Sequence, residues 1–297
     1  MCTIGIDRGS MYIFKRHKKT KIGIAFGGGG ARGFTHLGAI KAFEEYGIRP
    51  SDFSMIVGTS AGSIIGAFYA SGATYSEMLE VAKSIEVSEI RTTKIPFMPS
   101  KTDGIEDIIK RNFGDINIED LSLPFACVAT DLKTTKEVVF KKGNLAKAVA
   151  GSCAVPGIFV PVVYENYHLA DGGLRNNIPT NIPKKFGCDY VVGVDVNKYR
   201  TYGTPSLKVI DVLPATVRIL LQSSSLRGYL SADVMIGPET KKFSSTRAKD
   251  DDMMNMIEEG YKETIDKMPQ ILRLLSRKPL KRKIKKQHLE EEMVINE

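Results

Sequence analysis

Two short apolar runs near the start of this chain each end in glycine, and each leads into a helix-like segment. Lys21-Ile22-Gly23-Ile24-Ala25-Phe26 runs into Gly27-Gly28-Gly29-Gly30-Ala31-Arg32-Gly33. Ser54-Met55-Ile56-Val57 runs into Gly58-Thr59-Ser60-Ala61-Gly62. After the first, Phe34, Leu37, Ile40, Ala42 and Phe43 recur at helical spacing, and a small-residue helix follows the second over 60–70. Strands that are apolar throughout bury both faces, and strands alternating with helices build parallel sheets. Further strands are predicted at 124–130, 137–140 and 189–194, and helices at 75–85, 145–153, 209–221 and 253–275. The fold class that follows is α/β: three layers, α/β/α, around a mostly parallel central sheet.

Composition narrows the class. Of 297 residues, 42% are hydrophobic and 26% charged, which excludes wholesale disorder. No apolar stretch approaches the roughly 20 residues of a bilayer span, and the first residues lack a secretory signal. Cys2, Cys127, Cys153 and Cys188 are widely spaced, which speaks against a disulfide scaffold or a structural zinc site. A cytoplasmic protein is expected, peripheral at most to the inner membrane surface, and without a metal site. The net charge of +8 sits largely at the ends, in Lys15–Lys19 and in Arg277–Lys286, where seven of ten residues are positive. Such runs are either solvated tails or docking elements for an anionic membrane surface; no nucleic-acid partner is expected, and the oligomeric state is left open. The organisation expected is a basic leader over 1–20, a catalytic domain over 21–250, and a C-terminal helix and basic tail over 251–297. Gly9-Ser10-Met11 has the form of a cloning junction ahead of a second start. The Arg91–Lys101 segment, with Pro96 and Pro99, reads as a flexible loop.

The glycine cluster admits several readings. Gly28-Gly29-Gly30-Ala31-Arg32-Gly33 is a GxGxxG, the fingerprint of a dinucleotide site and hence of an oxidoreductase. That site needs a carboxylate at the tip of the second strand, where this chain has Val57-Gly58-Thr59-Ser60. A phosphate loop would need lysine after Gly33, where Phe34 stands. What remains is general: glycines let backbone N–H groups face outward together, and a helix N-terminus adds about half a positive charge behind them. Such a turn suits an oxyanion, including one that forms during acyl transfer.

Gly58-Thr59-Ser60-Ala61-Gly62 matches GxSxG at a strand-to-helix junction, the setting of a nucleophile elbow; the competing reading makes Ser60 a helix cap. A serine nucleophile needs a base, and histidines are few. His17 and His288 lie in the basic ends, His36 sits one turn into the first helix, and His168 precedes Leu169-Ala170-Asp171-Gly172-Gly173. After Asp171 the only histidine is His288, inside the charged tail, so a conventional triad fits poorly and Asp171 is the better candidate. An unperturbed aspartate, with a pKa of about 3.9, is a weak base, and desolvation would strengthen it. On its own, Asp171 reads more readily as a turn residue.

These three motifs, in this order, resemble those of the patatin-like phospholipases, most closely the small bacterial esterases of that family, over about Lys21–Phe186 and on to 189–197. The resemblance implies Ser60 as nucleophile and Asp171 as its only protein partner. It implies an oxyanion hole of backbone N–H groups at Gly28, Gly29 and Gly30, with Arg32 steadying the loop or the developing charge. Gly33, Gly58, Gly62, Gly172 and Gly173 complete the motifs. The implied activity is hydrolysis of fatty-acyl esters of phospholipids or related lipids, without metal or cofactor. Gly27 stands where plant patatins carry an acidic residue, and Gly173 where some relatives carry alanine. A non-catalytic lipid-binding regulator on the same fold is the main alternative. The 75–86 and 209–230 helices and the 91–101 loop are candidates to line or cover an acyl groove.

Overall fold

A computed structural model describes residues 4–7, 10–13, 20–85, 87–90, 99–198, 209–245, 250–276 and 293–296. Residues 91–98, His17, His288 and both basic runs lie outside them, so the loop and tail readings concern residues not described here. Ile4–Asp7 (β1) and Ser10–Ile13 (β2) pair with each other, antiparallel. The main sheet contains Ile22–Phe26 (β3), Met55–Thr59 (β4), Phe125–Asp131 (β5), Glu137–Phe140 (β6), Val162–Tyr164 (β7), Tyr167–Asp171 (β8), Tyr190–Val194 (β9), Val234–Ile236 (β10) and Met293–Asn296 (β11). Around it lie Thr35–Glu45 (α1), Ala61–Ser71 (α2), Tyr75–Ser84 (α3), Val87–Ile90 (α4), Asp103–Phe113 (α5), Leu145–Ser152 (α6), Gly173–Asn176 (α7), Asn181–Lys185 (α8), Val209–Ser231 (α9) and Asp250–Leu275 (α10).

The strands run β10-β9-β3-β4-β5-β6-β11, with β8 pairing both β5 and β7. From β10 through β5 every pairing is parallel, so the C-terminal ends of β3 and β4 lie side by side. At β5 antiparallel pairing begins: β6 pairs residues 127–130 of β5 on one edge and β8 pairs residues 129–131 on the other, placing Asp171 opposite Ala129, while β11 runs parallel to β6. The predicted parallel sheet is therefore its centre, with an antiparallel flank. Neither strand of the β7–β8 hairpin is predicted from sequence, because its turn, Glu165-Asn166, contains no glycine; Glu165 itself takes the positive φ of 52°.

One sheet face, with Ile24, Phe26, Ile56, Cys127, Val138 and Val192, packs on α1, α2, α6 and α10. The other, with Met55, Val57, Val128 and Val191, packs on Ile182 of α8. Alternate residues of each strand serve opposite layers, as the unbroken apolar runs require. The helix set off at 251–297 in the sequence lies directly on α1. A Cβ on Gly38 would run into the Ile257 carbonyl, and one on Gly260 into that of Thr35. Its buried face is Met253, Met256, Ile257, Thr264, Met268 and Ile271, at helical spacing.

Two helices differ from expectation. α5 was not predicted, although Asp103 and Glu106 in its first turn, Lys110 and Arg111 in its last, and Gly114 beyond are ordinary start and stop signals. α9 continues ten residues past 221, to Ser231. Ser223-Ser224-Ser225 obscures its periodicity, but Ser224 and Ser225 both donate back to the Leu221 carbonyl, at 3.0 and 2.9 Å.

Candidate active site

The elbow after β4 is built by exclusion. Ser60 takes φ 52° and ψ −128°, a region in which L residues are strained, and it is held there by its neighbours. A Cβ on Gly58 would collide with the Gly62 carbonyl, and one on Gly62 with the Phe26 carbonyl, so neither position accepts a side chain. The Ser60 N–H donates to Ser152 Oγ at 2.9 Å, and that hydroxyl donates onward to the Val128 carbonyl at 2.6 Å. Ser63 Oγ donates to the Ser60 carbonyl at 2.6 Å. Every backbone polar group of the strained residue is thus engaged by a hydroxyl.

Asp171 ends β8 and is 1% exposed. The Ser60 side chain lies close enough to its carboxyl to favour the charged form, and the Gly173 N–H donates to Oδ1 at 2.7 Å. Burial pushes the carboxyl up to about 6 against the opposing pull of those two groups. Its backbone is fixed as firmly: Asp171 N donates to the Ala154 carbonyl at 2.9 Å and Gly172 N to the Ser152 carbonyl at 3.2 Å. Ser152 therefore touches both turns, through its hydroxyl at Ser60 and its carbonyl at Gly172. A Cβ on Gly172 would strike the Val128 carbonyl.

The three glycines read as oxyanion donors are not equivalent. Gly28 N donates to the Asn177 carbonyl at 3.0 Å, whereas no acceptor among the described residues takes the N–H of Gly29 or Gly30. Gly30 has a positive φ of 58° and opens the 3-10 turn Gly30–Phe34. Arg32 does not line the cleft. Its Nε donates to the Phe243 carbonyl at 2.9 Å and its Nη1 to Asn197 Oδ1 at 3.1 Å, while Asn197 Nδ2 donates to the Gly28 carbonyl at 2.6 Å. Of the two expectations for Arg32, this geometry serves the steadying of the loop.

Neither described histidine reaches Ser60. His36 is fully buried, its Nε2 2.9 Å from the Gly27 carbonyl, and desolvation holds it down at about 4. The neutral ring supports the loop from below. His168 lies on β8, its backbone N–H on Asp131 Oδ1 at 3.0 Å. Burial pushes the Cys153 thiol up beside the Asp171 carboxyl, so it is no competing nucleophile at neutral pH. No group of three or more His, Cys, Asp and Glu among the described residues could hold a metal ion.

Gly28, Gly29, Gly30, Ser60 and Asp171 share one cleft of about 170 Å³. One wall is Val155–Ile158 and the opposite wall is α9, through Val217, Arg218 and Leu221. Among the helices proposed from sequence to border a groove, α9 does so and α3 does not. α9 is bound to the aspartate turn by Ser224 Oγ on the Gly173 carbonyl and Asn177 Nδ2 on Ser225 Oγ, at 2.5 and 3.0 Å. Ser152, Asn197 and the α9 serines were not legible as site residues, because each acts on a segment far away in the chain.

The profile described as Patatin-like phospholipase matches residues 24–183. The chain belongs to the patatin-like phospholipase family. It is 33% identical over 181 residues to an uncharacterized NTE family protein of Mycobacterium tuberculosis, which covers 60% of this chain and 49% of that one. It is 36% identical over 184 residues to human patatin-like phospholipase domain-containing protein 6, covering 59% of this chain and 13% of the human protein. The chain thus spans about half the length of the mycobacterial relative and far less of the human one. The crystal structure of VipD from Legionella pneumophila superimposes with a TM-score of 0.56 at 14% identity, over 91% of this chain and 70% of that one, and shares the patatin-like fold.

Proposed function

We propose that this patatin-like protein hydrolyses fatty-acyl esters of phospholipids or related lipids through an acyl-Ser60 intermediate. The observation that carries the reading is the buried pair: a strained serine that shares the cleft with a buried carboxyl whose ionisation has been moved towards neutrality. Asp171 takes the Ser60 proton as Oγ bonds to the ester carbonyl carbon. The N–H groups of Gly29 and Gly30 receive the negative charge on the carbonyl oxygen, while Gly28 fixes the loop through Asn177. The alcohol leaves with the proton from Asp171. Water then gives a proton to Asp171 and its oxygen to the acyl carbon, and the fatty acid departs as Ser60 is reprotonated. The names of the relatives support a phospholipid as the ester.

The test is turnover of a short p-nitrophenyl ester together with labelling by a fluorophosphonate. Ser60→Ala is expected to lose about 10³-fold or more of turnover and all labelling while keeping its circular dichroism. Substantial turnover by the folded variant removes Ser60 from the mechanism. A folded wild-type protein that neither turns over nor labels returns the chain to the regulator reading.

A further inference from the structure

The two longest helices, α9 and α10, present different outer faces. The outward face of α10 is charged, with Glu258 paired to Lys262 and Glu263 to Lys267, as a solvent face should be. α9 does the reverse. Val212, Ile219, Leu226 and Leu230 fall on one stripe at spacings of seven, seven and four residues, and are 53, 63, 64 and 82% exposed. Leu220 and Tyr229 widen it at 45 and 37%. Half of the twelve exposed large hydrophobic side chains among the described residues therefore sit on one helix. Solvent alone does not favour such a concentration.

The stripe has a direction and a charge. It runs about 27 Å along the helix at 1.5 Å per residue. Opposite it, Val217, Leu221 and Ser225 face inward, and the first two line the cleft that holds Ser60. Between Val212 and Leu230 the only charged residues are Arg218, in the cleft lining, and Arg227, whose half-exposed guanidinium reaches Glu137 at 3.4 Å; no carboxylate occurs in that span. Across the cleft, the chain leaving the Ile158 wall exposes Val160 and Val163, at 37 and 66%. No helix among the described residues is long and apolar enough to cross a membrane. An apolar outer stripe that carries arginine and no carboxylate along its length, Asp211 lying one residue before its start, suits the plane of a lipid headgroup layer.

We propose that the outer face of α9, with Val160 and Val163, is a membrane-docking surface that seats the cleft mouth on an anionic bilayer. It rests on the acyl-hydrolase reading only for its purpose, the delivery of a lipid ester to Ser60. The assignment moves the expected membrane contact from the basic ends to the catalytic domain itself.

The test uses the full chain and vesicles of phosphatidylcholine with and without a quarter of phosphatidylglycerol. Ile219→Gln/Leu226→Gln changes two side chains that do not line the cleft. Its partition onto vesicles is expected to fall about tenfold or more, and hydrolysis of vesicle phospholipid with it. Turnover of a soluble short-chain ester should stay within about twofold of wild type, because the cleft is intact. Binding of the wild type should rise with phosphatidylglycerol and fall with salt. Unchanged partition in the double variant overturns the proposal. So does a wild-type dimer that the variant converts to monomer with no loss of vesicle binding, since the stripe would then seat a second copy. A wild type that docks through the stripe yet hydrolyses no ester, soluble or vesicular, upholds the surface and removes the hydrolase reading instead.

Discussion

The turn after β4 and the turn after β3 lie side by side at the same sheet edge, yet different parts of the chain hold them. The Ser60 elbow is shaped more from within: a Cβ on Gly58 would meet the Gly62 carbonyl, and Ser63 closes on the Ser60 carbonyl three residues back, with the Phe26 carbonyl and Ser152 the contacts from elsewhere. The glycine loop is shaped from outside. Gly27 donates to Val194, Gly28 to Asn177 and Ala31 to Ser245, while Arg32 reaches Phe243 and Asn197. A locally determined turn is fixed once its strand and helix form. A turn determined from a distance depends on most of the fold being in place, and can be loosened without touching it.

Substitution of the acid partner has the largest expected effect and tests the elbow side of the contrast. Asp171→Asn keeps shape but cannot accept the Ser60 proton, so turnover should fall about 10³-fold or more. Stability should move the other way. The folded carboxyl, at about 6, lies above its unfolded value of about 3.9, so its contribution is full below pH 4 and lost as pH rises through 6. The asparagine variant should therefore melt above wild type at pH 8, by on the order of 5 °C, with a smaller difference at pH 5. An active Asp171→Asn protein, or one whose gain is the same at both pH values, breaks the pairing.

Next comes the steric claim. Gly62→Ala forces a Cβ onto the carbonyls of Phe26 and Gly27, which are backbone and cannot swing aside; a loss of about 3 kcal/mol or more is expected in denaturant melts. Gly47→Ala, with a φ of 72° but nothing within 4 Å, should cost about 1 kcal/mol. Equal losses at the two sites would show that conformation, not space, requires the elbow glycines.

This difference in origin also explains what could be read from the sequence. Ser60, Asp171 and the glycines were legible because tight turns advertise themselves through residue type and spacing. Strands β3, β4, β5, β6 and β9 were legible as apolar runs, within a residue or two. Ser152, Asn177 and Asn197 carry no such signal: a hydroxyl on the last turn of α6 becomes a site residue only when the sheet brings Ser60 to it. The commitment of Gly28 to Asn177, which separates it from Gly29 and Gly30, is likewise a tertiary fact. α9 was seen as a helix, but its outer stripe extends past the serine run at which its periodicity fades.

The pH profile gives a smaller effect and sharpens the assignment of the base. With Asp171 at about 6, kcat/KM for the soluble ester should rise with pH and level off above about 7, falling about tenfold per unit well below the midpoint. His36, held down at about 4 and bonded to Gly27, should leave no mark on this limb, and a His36→Asn protein that folds should keep the midpoint. A midpoint that moves with His36 would transfer the proton-accepting role away from Asp171.

The smallest effect tests the loop side. Arg32→Gln removes the donors that hold the buried Phe243 carbonyl and weakens the link through Asn197 to Gly28, so stability should fall by about 1–3 kcal/mol. The N–H groups of Gly29 and Gly30 remain in the chain but are less well held, and kcat should fall by about tenfold, less than removal of a donor outright would cause. The pH midpoint should not move, because Asp171 keeps its burial and its partners. Arg32→Lys, with one compact charge in place of a fork, should recover stability only in part. A well-folded Arg32→Gln protein that loses about 10³-fold in kcat would mean the guanidinium meets the developing charge directly, and the loop would then supply side-chain as well as backbone donors.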